Sequence, residues 1–294
     1  MIEVVRPGPL ATVQDLGRAG LAHLGVPGSG AADARALRLA NRLVGNAEAC
    51  AGVEFTFGGA ALRFHSPAWI AVTGAPLPVR VDGRAHGMNA PCHVPAGAVL
   101  ELGIPSQGLR SYLAVRGGLA VEPVLGSRST DLLSGLGPAP LSPGDRLPIG
   151  PARGLADITV DVAPTPGFPD EPVLHVLPGP RDDWFTPDAL ETLTSAPYEA
   201  SSESNRVGVR LQGSALARAR DGELSSEGMV TGALQVPPNG LPILFLADHP
   251  TTGGYPVIAV VASADLPLAA QLRPGQTVRF RCAGGAGAGG RSPR

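Results

Sequence analysis

The chain has 294 residues, 44% of them apolar and 16% charged, with a net charge of -2. That is enough apolar material for one large domain or two, too little charge for a disordered chain, and no basic excess to attract nucleic acid or an anionic membrane. All 23 basic residues are Arg. No Schiff base can form on this chain, no phosphate-loop lysine exists and no biotin can be attached here, so any anion must be held by Arg, by backbone N–H groups or by a metal.

The three cysteines, Cys50, Cys92 and Cys282, are far apart and odd in number. They argue against a disulfide framework and for a reducing compartment. Met1–Pro7 shows no basic segment followed by an apolar one, and no uncharged apolar run is long enough to span a bilayer. The expected location is the cytoplasm.

Along the chain, 40 Gly and 31 Pro punctuate short Val/Leu/Ile runs, the pattern of many turns and short strands. Strands are expected at 69–73, 79–81, 99–102, 111–115, 158–162, 173–177, 206–211, 243–247, 257–261 and 277–281. Helical spacing is confined to 31–44, with Ser29 near its start, and to a segment opened by Thr186-Pro187. So many strands for so few helices indicate a mainly β protein of barrels or sandwiches. His93-Val-Pro to Tyr112-Leu-Ala-Val and Gln235-Val-Pro to Tyr255-Pro-Val-Ile-Ala-Val share an order of elements, and each reaches a Leu-x-Pro-Gly turn. This internal repeat predicts two related β-domains, 1–155 and 156–282, followed by a disordered Gly-rich tail, 283–294.

The polar residues richest in chemistry lie between Glu227 and Pro256. Glu227, Gln235, Asp248, His249, Thr251 and Thr252 sit on turns among Gly253, Gly254 and prolines, where a scaffold presents a site. Glu227 and Asp248 are the candidate catalytic carboxylates, suited to proton transfer or to a Mg²⁺–phosphate complex. Arg206, Gly208 and Arg210 would share one strand face, beside Asn205, and clamp an anionic substrate or lie at a solvated edge. Arg116 and Arg128 are further anion candidates, within reach of a turn network built from Ser127, Ser129, Thr130 and Asp131. Asp15 and Arg18 either expose backbone donors to an anion or pair to fix a loop. Asp182 and Asp183 cap a helix or bind a metal. Cys92-His93 lacks the paired spacing of a zinc site, and no Gly-x-Ser-x-Gly elbow is present; no metal ligands are assigned.

Several long motifs occur in order: Thr12-Val-Gln-Asp-Leu-Gly-Arg, Gly25-Val-Pro-Gly-Ser-Gly, Asn41-Arg-Leu-Val-Gly-Asn, Arg116-Gly-Gly-Leu, Leu125-Gly-Ser-Arg-Ser-Thr-Asp, Ser204-Asn-Arg-Val-Gly, Ser226-Glu-Gly-Met-Val, Gln235-Val-Pro-Pro and Pro250-Thr-Thr-Gly-Gly-Tyr-Pro. Together they resemble the carboxyltransferase-domain family that includes the C subunit of 5-oxoprolinase and allophanate hydrolase subunit 2. The resemblance implies two cyclophilin-like β-barrel domains. It also implies work in a complex with subunits A and B, cleaving the lactam 5-oxo-L-proline to L-glutamate with ATP, and with Mg²⁺ as the companion of its phosphates. Under that reading Arg206, Asn205, Arg116, Arg128, Gln235 and Thr251–Gly254 bind substrate or phosphate, while Glu227 and Asp248 carry the chemistry. Two alternatives from the same resemblance are a component of a biotin-dependent urea-degrading system, with biotin on another chain, and a non-catalytic, partner-binding regulator.

Overall fold

The computed structural model describes residues 1–164, 167–220, 222 and 224–283. The predicted Gly-rich tail therefore lies outside the described residues, save Ala283.

In the N-terminal half the strands are β1 (Ile2–Arg6), β2 (Leu10–Gln14), β3 (Gly52–Thr56), β4 (Ala61–Phe64), β5 (Ala68–Gly74), β6 (Val79–Val81), β7 (Arg84–His86), β8 (Pro91–Val94), β9 (Val99–Leu102), β10 (Arg110–Val115) and β11 (Arg146–Leu147). They make a six-stranded sheet, β11-β1-β4-β9-β6-β7, and a five-stranded sheet, β2-β3-β10-β5-β8. Ile2, Val4, Leu62, Phe64 and Leu100 from the first sheet and Val13, Val53, Phe55, Ile70, Val72 and Leu113 from the second meet in one apolar cluster. Alternation along β3 and β10 puts the intervening residues on the outer face of the five-stranded sheet. Helix α1 (Ala34–Leu43) covers that face.

Asp33, not Ser29, caps α1: its carboxylate accepts from Ala36 N at 3.0 Å. A carboxylate at N-cap satisfies one of the helix's unpaired N–H groups and complements its dipole. Leu37, Ala40 and Leu43 form the buried stripe. At the other end, the Asn46 amide donates to Asn41 Oδ1 at 3.0 Å and Val115 O at 2.8 Å, and its own oxygen accepts from Gly117 N at 2.8 Å.

The C-terminal half contains β12 (Val173–Pro178), β13 (Tyr198–Ala200), β14 (Gly208–Gly213), β15 (Glu227–Gly228), β16 (Ala233–Gln235), β17 (Ile243–Phe245), β18 (Thr252–Gly253), β19 (Val257–Val261) and β20 (Thr277–Cys282), with helices α2 (Ala189–Ser195) and α3 (Leu266–Ala269). Seven of these strands close a barrel, β12-β19-β16-β17-β14-β13-β20. The parallel pair of β12 with β20 shuts it. Closure leaves no unpaired strand edge. Leu174, Val176, Val209, Leu211, Leu234, Leu244, Ile258 and Phe280 are among the residues that fill it. The remaining strands, β15 and β18, form a small ribbon outside the barrel.

The mainly β reading with few short helices holds, and one half is a closed barrel. Three local expectations fail. Residues 158–162 form no strand; the segment lies in the connection between the halves, and its β-branched side chains are half-buried or exposed. The strand expected from Arg206 begins only at Gly208, because Asn205 Oδ1 accepts from Val207 N at 2.8 Å and folds the chain into a turn. Arg206 and Arg210 consequently do not share a face: the first is buried and the second exposed. The second helix starts at Ala189 with no side-chain cap, so Thr186 does not serve as its N-cap.

Because Asn46 serves two buried groups and one part-buried group at once, Asn46→Ala should lower unfolding stability by about 2–3 kcal/mol. A urea midpoint indistinguishable from the parent's would contradict that accounting.

Candidate functional site

The junction of the two halves is charged and almost dry. Arg206, on the turn before β14, is 1% exposed, and Asp248, on the loop after β17, is 0% exposed. Arg206 donates from Nε to Asp248 Oδ2 and from Nη2 to Asp248 Oδ1, both at 2.9 Å. Its Nη2 also reaches Gly30 O at 2.6 Å, and its Nη1 pairs with Glu54 on β3. Asp248 further accepts from Ser29 Oγ at 2.7 Å and Leu132 N at 3.1 Å. Glu54 Oε2 accepts from Ala32 N at 2.9 Å and Tyr112 Oη at 2.8 Å, and Tyr112 Oη accepts from Asp33 N at 2.7 Å.

A second guanidinium, Arg110 on β10, lies 3.5 Å from Glu54 Oε1 and donates to Ala270 O. Gln271 completes the seam. Its oxygen accepts from Leu109 N and Arg110 N, each at 2.8 Å, and its amide donates to Asp33 Oδ2 and Arg110 O, each at 2.9 Å.

These contacts depend on close backbone approach. Gly30 has φ of +99°, and a Cβ there would stand 2.9 Å from Gly17 N. Any other side chain would push away the loop whose carbonyl caps Arg206.

Burial sets the electrostatics. For Arg206 burial pulls the pKa down, but Glu54 and Asp248 outweigh it and the guanidinium stays firmly charged. For Glu54 burial pushes up from the ordinary 4.5, and Arg206 and then Arg110 bring it below that value. Burial raises the Asp33 carboxyl, against the opposing hydrogen bonds of Gln271 and Ala36. Burial also raises the Tyr112 hydroxyl well above its ordinary value, with the neighbouring charge of Glu54 adding to it.

The ribbon gathers a different set. Arg181 Nε contacts Glu227 Oε1 at 2.9 Å and Oε2 at 3.0 Å, and Nη2 also donates to Oε1. This pair is part-exposed, at 38% and 28%. Arg181 holds the Glu227 carboxyl below its usual range, chiefly through the hydrogen bond. Glu227 lies opposite Gly253, and Gly228 opposite Thr252. Thr251 O accepts from Met229 N at 2.9 Å, and Gly254 O from Leu224 N at 3.0 Å. Gln235 Nε2 donates to Tyr255 O at 3.1 Å. A Cβ on Gly253 would come 2.5 Å from that amide nitrogen, so a larger residue there would displace the Gln235 side chain. His249 stacks on Phe245 at 6.0 Å between ring centroids, and its Nδ1 is 2.7 Å from Pro250 O.

Arg116 and Arg128 join neither group. Arg116 donates to Val44 O at 2.8 Å and to Ala156 O at 2.9 Å, fastening the inter-half connection to the end of α1. Arg128 donates from Nε to Val121 O at 2.7 Å, and its backbone N–H donates to Asp15 Oδ2 at 2.6 Å. Asp15 also accepts from Ser127 and Ser129 hydroxyls, both at 2.6 Å, while Arg18 donates to Val124 O at 3.2 Å and to Ser129 O. Asp15 and Arg18 thus fix one loop through separate partners. Asp183 pairs with Arg220 at 3.0 Å.

Among the described residues no group of three or more His, Cys, Asp or Glu side chains is placed to hold a metal. Asp248 gives both oxygens to protein donors, and Glu227 gives both to Arg181. The two carboxylates considered for a Mg²⁺–phosphate complex are therefore spoken for in this structure. The residues that sequence reasoning missed are Glu54, Arg110, Tyr112, Asp33 and Gln271. A signal existed for one of them: Glu54 interrupts the apolar run Gly52-Val-Glu-Phe-Thr. Nothing in the sequence said that it faces Arg206, 152 residues away.

A two-sheet half and a closed barrel joined across such a seam mark the protein's class. Residues 24–282 match the carboxyltransferase domain, subdomain A and B, and the chain belongs to that family. It is 41% identical over 290 residues to the C subunit of 5-oxoprolinase from Escherichia coli, covering 95% of this chain and 90% of the relative. The crystal structure of TTHA0988 superposes with a TM-score of 0.87 at 36% identity, over 95% of this chain and 55% of that one. The urea amidolyase of K. lactis does so with a TM-score of 0.86 at 32% identity, over 95% of this chain and 18% of that one. The chain thus spans about half of the first solved chain and a smaller part of the second. No helix among the described residues is long and apolar enough to cross a membrane.

Removing the Arg206 guanidinium would leave Glu54 and Asp248 buried without the cation they share, and Arg206→Met should cost about 3–5 kcal/mol. The cost should depend on pH. A carboxyl whose folded pKa is lowered, as for Glu54, contributes stability in full above its unfolded value of 4.5 and loses it as pH falls through the folded value. The stability gap between parent and Arg206→Met should accordingly narrow on acidification below 4.5; urea titrations at pH 7 and pH 4 read it. A gap of constant size would mean that charge pairing is not what the residue supplies.

Proposed function

We propose that this chain is the C subunit of an ATP-dependent 5-oxoprolinase, a cyclic amide hydrolase that acts only in complex with subunits A and B. The observation that carries the reading is the match to the E. coli 5-oxoprolinase component along nearly the whole of both chains. The urea amidolyase likeness covers only a small part of a much longer protein and shares the fold rather than the full length.

The chemistry explains the need for ATP. A lactam carbonyl is a poor electrophile because amide resonance must be broken. Phosphorylation of its oxygen would make the ring carbon open to water, provided that phosphate and substrate charges are neutralised in a dry pocket. This chain's contribution is position and electrostatics. The Glu54–Arg206–Asp248 seam holds the two halves in one geometry. Asn205, next to Arg206, is exposed. Thr252 is exposed on the ribbon and Thr251 half-exposed, where their hydroxyls could meet a phosphate, with Gly253 and Gly254 allowing close approach. Glu227 is the carboxylate best placed to move a proton, since its partner Arg181 is part-exposed and can be drawn away by an anion. Asp248 acts through Arg206 as a positioning residue. Nucleotide and Mg²⁺ are assigned to the assembled complex, where a partner would supply the missing ligands.

Mixing the chain with subunits A and B should give ATP hydrolysis that depends on 5-oxo-L-proline. Its absence from a correctly assembled complex would overturn the reading. In the same assay Glu227→Gln should lower kcat by about 100-fold or more, within the range general acid–base groups supply. Thermal unfolding should move little, because a solvent-screened ion pair contributes little to stability. Equal turnover in the variant would remove Glu227 from the chemistry.

A further inference from the structure

Opening a lactam takes two proton transfers, one off the attacking water and one onto the departing ring nitrogen. Glu227 accounts for the first. His249, which takes no part in the seam, has the geometry for the second.

His249 lies in the loop that runs from Asp248 to the ribbon. Its half-buried ring lies against Phe245, with 6.0 Å between centroids and 29° between planes. Phe245 shares a small apolar cluster with Met229, and a Cβ on Gly253 of the ribbon would stand 3.4 Å from Met229 Cγ. Three steps of chain, at most about 3.6 Å each, lead from His249 to Thr252. Thr252 pairs with Gly228, the neighbour of Glu227. The imidazole and the carboxylate are thus carried by segments that form one ribbon.

One contact fixes where this ring holds its hydrogen. Nδ1 is 2.7 Å from Pro250 O. A carbonyl oxygen only accepts, so in the neutral ring Nδ1 carries the hydrogen and Nε2 the lone pair. Nε2 bonds no group among the described residues, and protein does not enclose it. Any proton that the ring gains or gives up therefore passes through Nε2. The charged neighbours leave it free to do so. Asp248 gives its oxygens to Arg206, Ser29 and Leu132, and Glu227 gives its own to Arg181. No ion pair among the described residues includes His249.

We propose that His249 is the general acid of ring opening, giving a proton from Nε2 to the lactam nitrogen. The assignment rests on the 5-oxoprolinase reading and adds its second proton-transfer group. Water adds to the phosphorylated ring carbon while Glu227 takes the water's proton. The carbon then bears a hydroxyl, the phosphate and the ring nitrogen. If the phosphate leaves, the carbonyl reforms and the lactam returns, so ATP is hydrolysed without ring opening. If the C–N bond breaks instead, its electron pair stays on nitrogen and binds the His249 proton, giving an amine and an acyl phosphate. Water then cleaves the acyl phosphate, and the imidazole regains its proton from solvent. An amide anion is a far poorer leaving group than phosphate. The proton from His249 therefore decides which way the adduct collapses.

The test is the ratio of phosphate released to glutamate formed by the complex with subunits A and B, supplied with ATP and 5-oxo-L-proline. His249→Asn keeps an amide that can donate to Pro250 O and removes Nε2. Its complex should form glutamate about 100-fold more slowly, within the range that general acids supply. Phosphate release should fall less, so that the ratio rises about tenfold or more over the parent. An unchanged ratio would overturn the role even if both rates fell, because a residue that merely shapes the loop slows both products together. Nitrogen-15 spectra of the chain alone give a second reading that needs no variant to assemble. The neutral His249 ring should be protonated at Nδ1, and protonation at Nε2 would overturn the proposal. A parent complex without 5-oxoproline-dependent ATP hydrolysis overturns the functional reading and this role with it. An active parent complex with an unchanged ratio in His249→Asn overturns the role alone.

Discussion

The junction depends on Arg206. One guanidinium bonds two carboxylates and a backbone carbonyl that come from three separate segments, and all of the charged groups are buried. Burying a charge in that way is expensive unless every partner is in place. Here each carboxylate is bound again on its far side, Asp248 by Ser29 and Leu132, Glu54 by Ala32 and Tyr112. The penalty for losing any one member makes the docking of the two halves specific, where an apolar seam would tolerate sliding.

The seam also governs what lies around it. By engaging Glu54, Arg206 leaves Arg110 with a weaker share of the same carboxylate, its Nε 3.5 Å from Oε1. By engaging Asp248, it fixes the loop that continues through His249 to the ribbon of Thr252 and Gly253. Substrate-binding roles suit the accessible residues, Asn205, Glu227, Thr251 and Thr252, better than the buried pair that orders them.

Much of the fold was legible in the sequence because strand signals are local. The runs at 79–81, 99–102 and 257–261 form strands with those limits, since β-branched residues there meet turn residues on both sides. Ile158–Val162 has the same composition and forms no strand: a strand needs a neighbour to pair with, and this segment runs between the halves with none. The recurring order of Val-Pro, strand, loop and Tyr-strand is present in both halves, but the pairing differs. In the C-terminal half β16 joins β17 to β19 within one barrel. In the N-terminal half β9 and β10 go to different sheets.

By itself the sequence determined the strand-rich halves, the absence of any lysine chemistry and the loops on which polar groups gather, because each follows from residue type and local spacing; the class of the protein came from the resemblance of its motifs to a known family. The tertiary structure alone decided which charges meet. Arg206 and Asp248 stood out as site candidates on local grounds, but Glu54, Arg110 and Gln271 could be recognised only once chain segments up to 238 residues apart were brought together. Burial then changed what those groups are for. A guanidinium in water is an anion clamp waiting for a ligand, whereas one enclosed by two carboxylates has its ligands already.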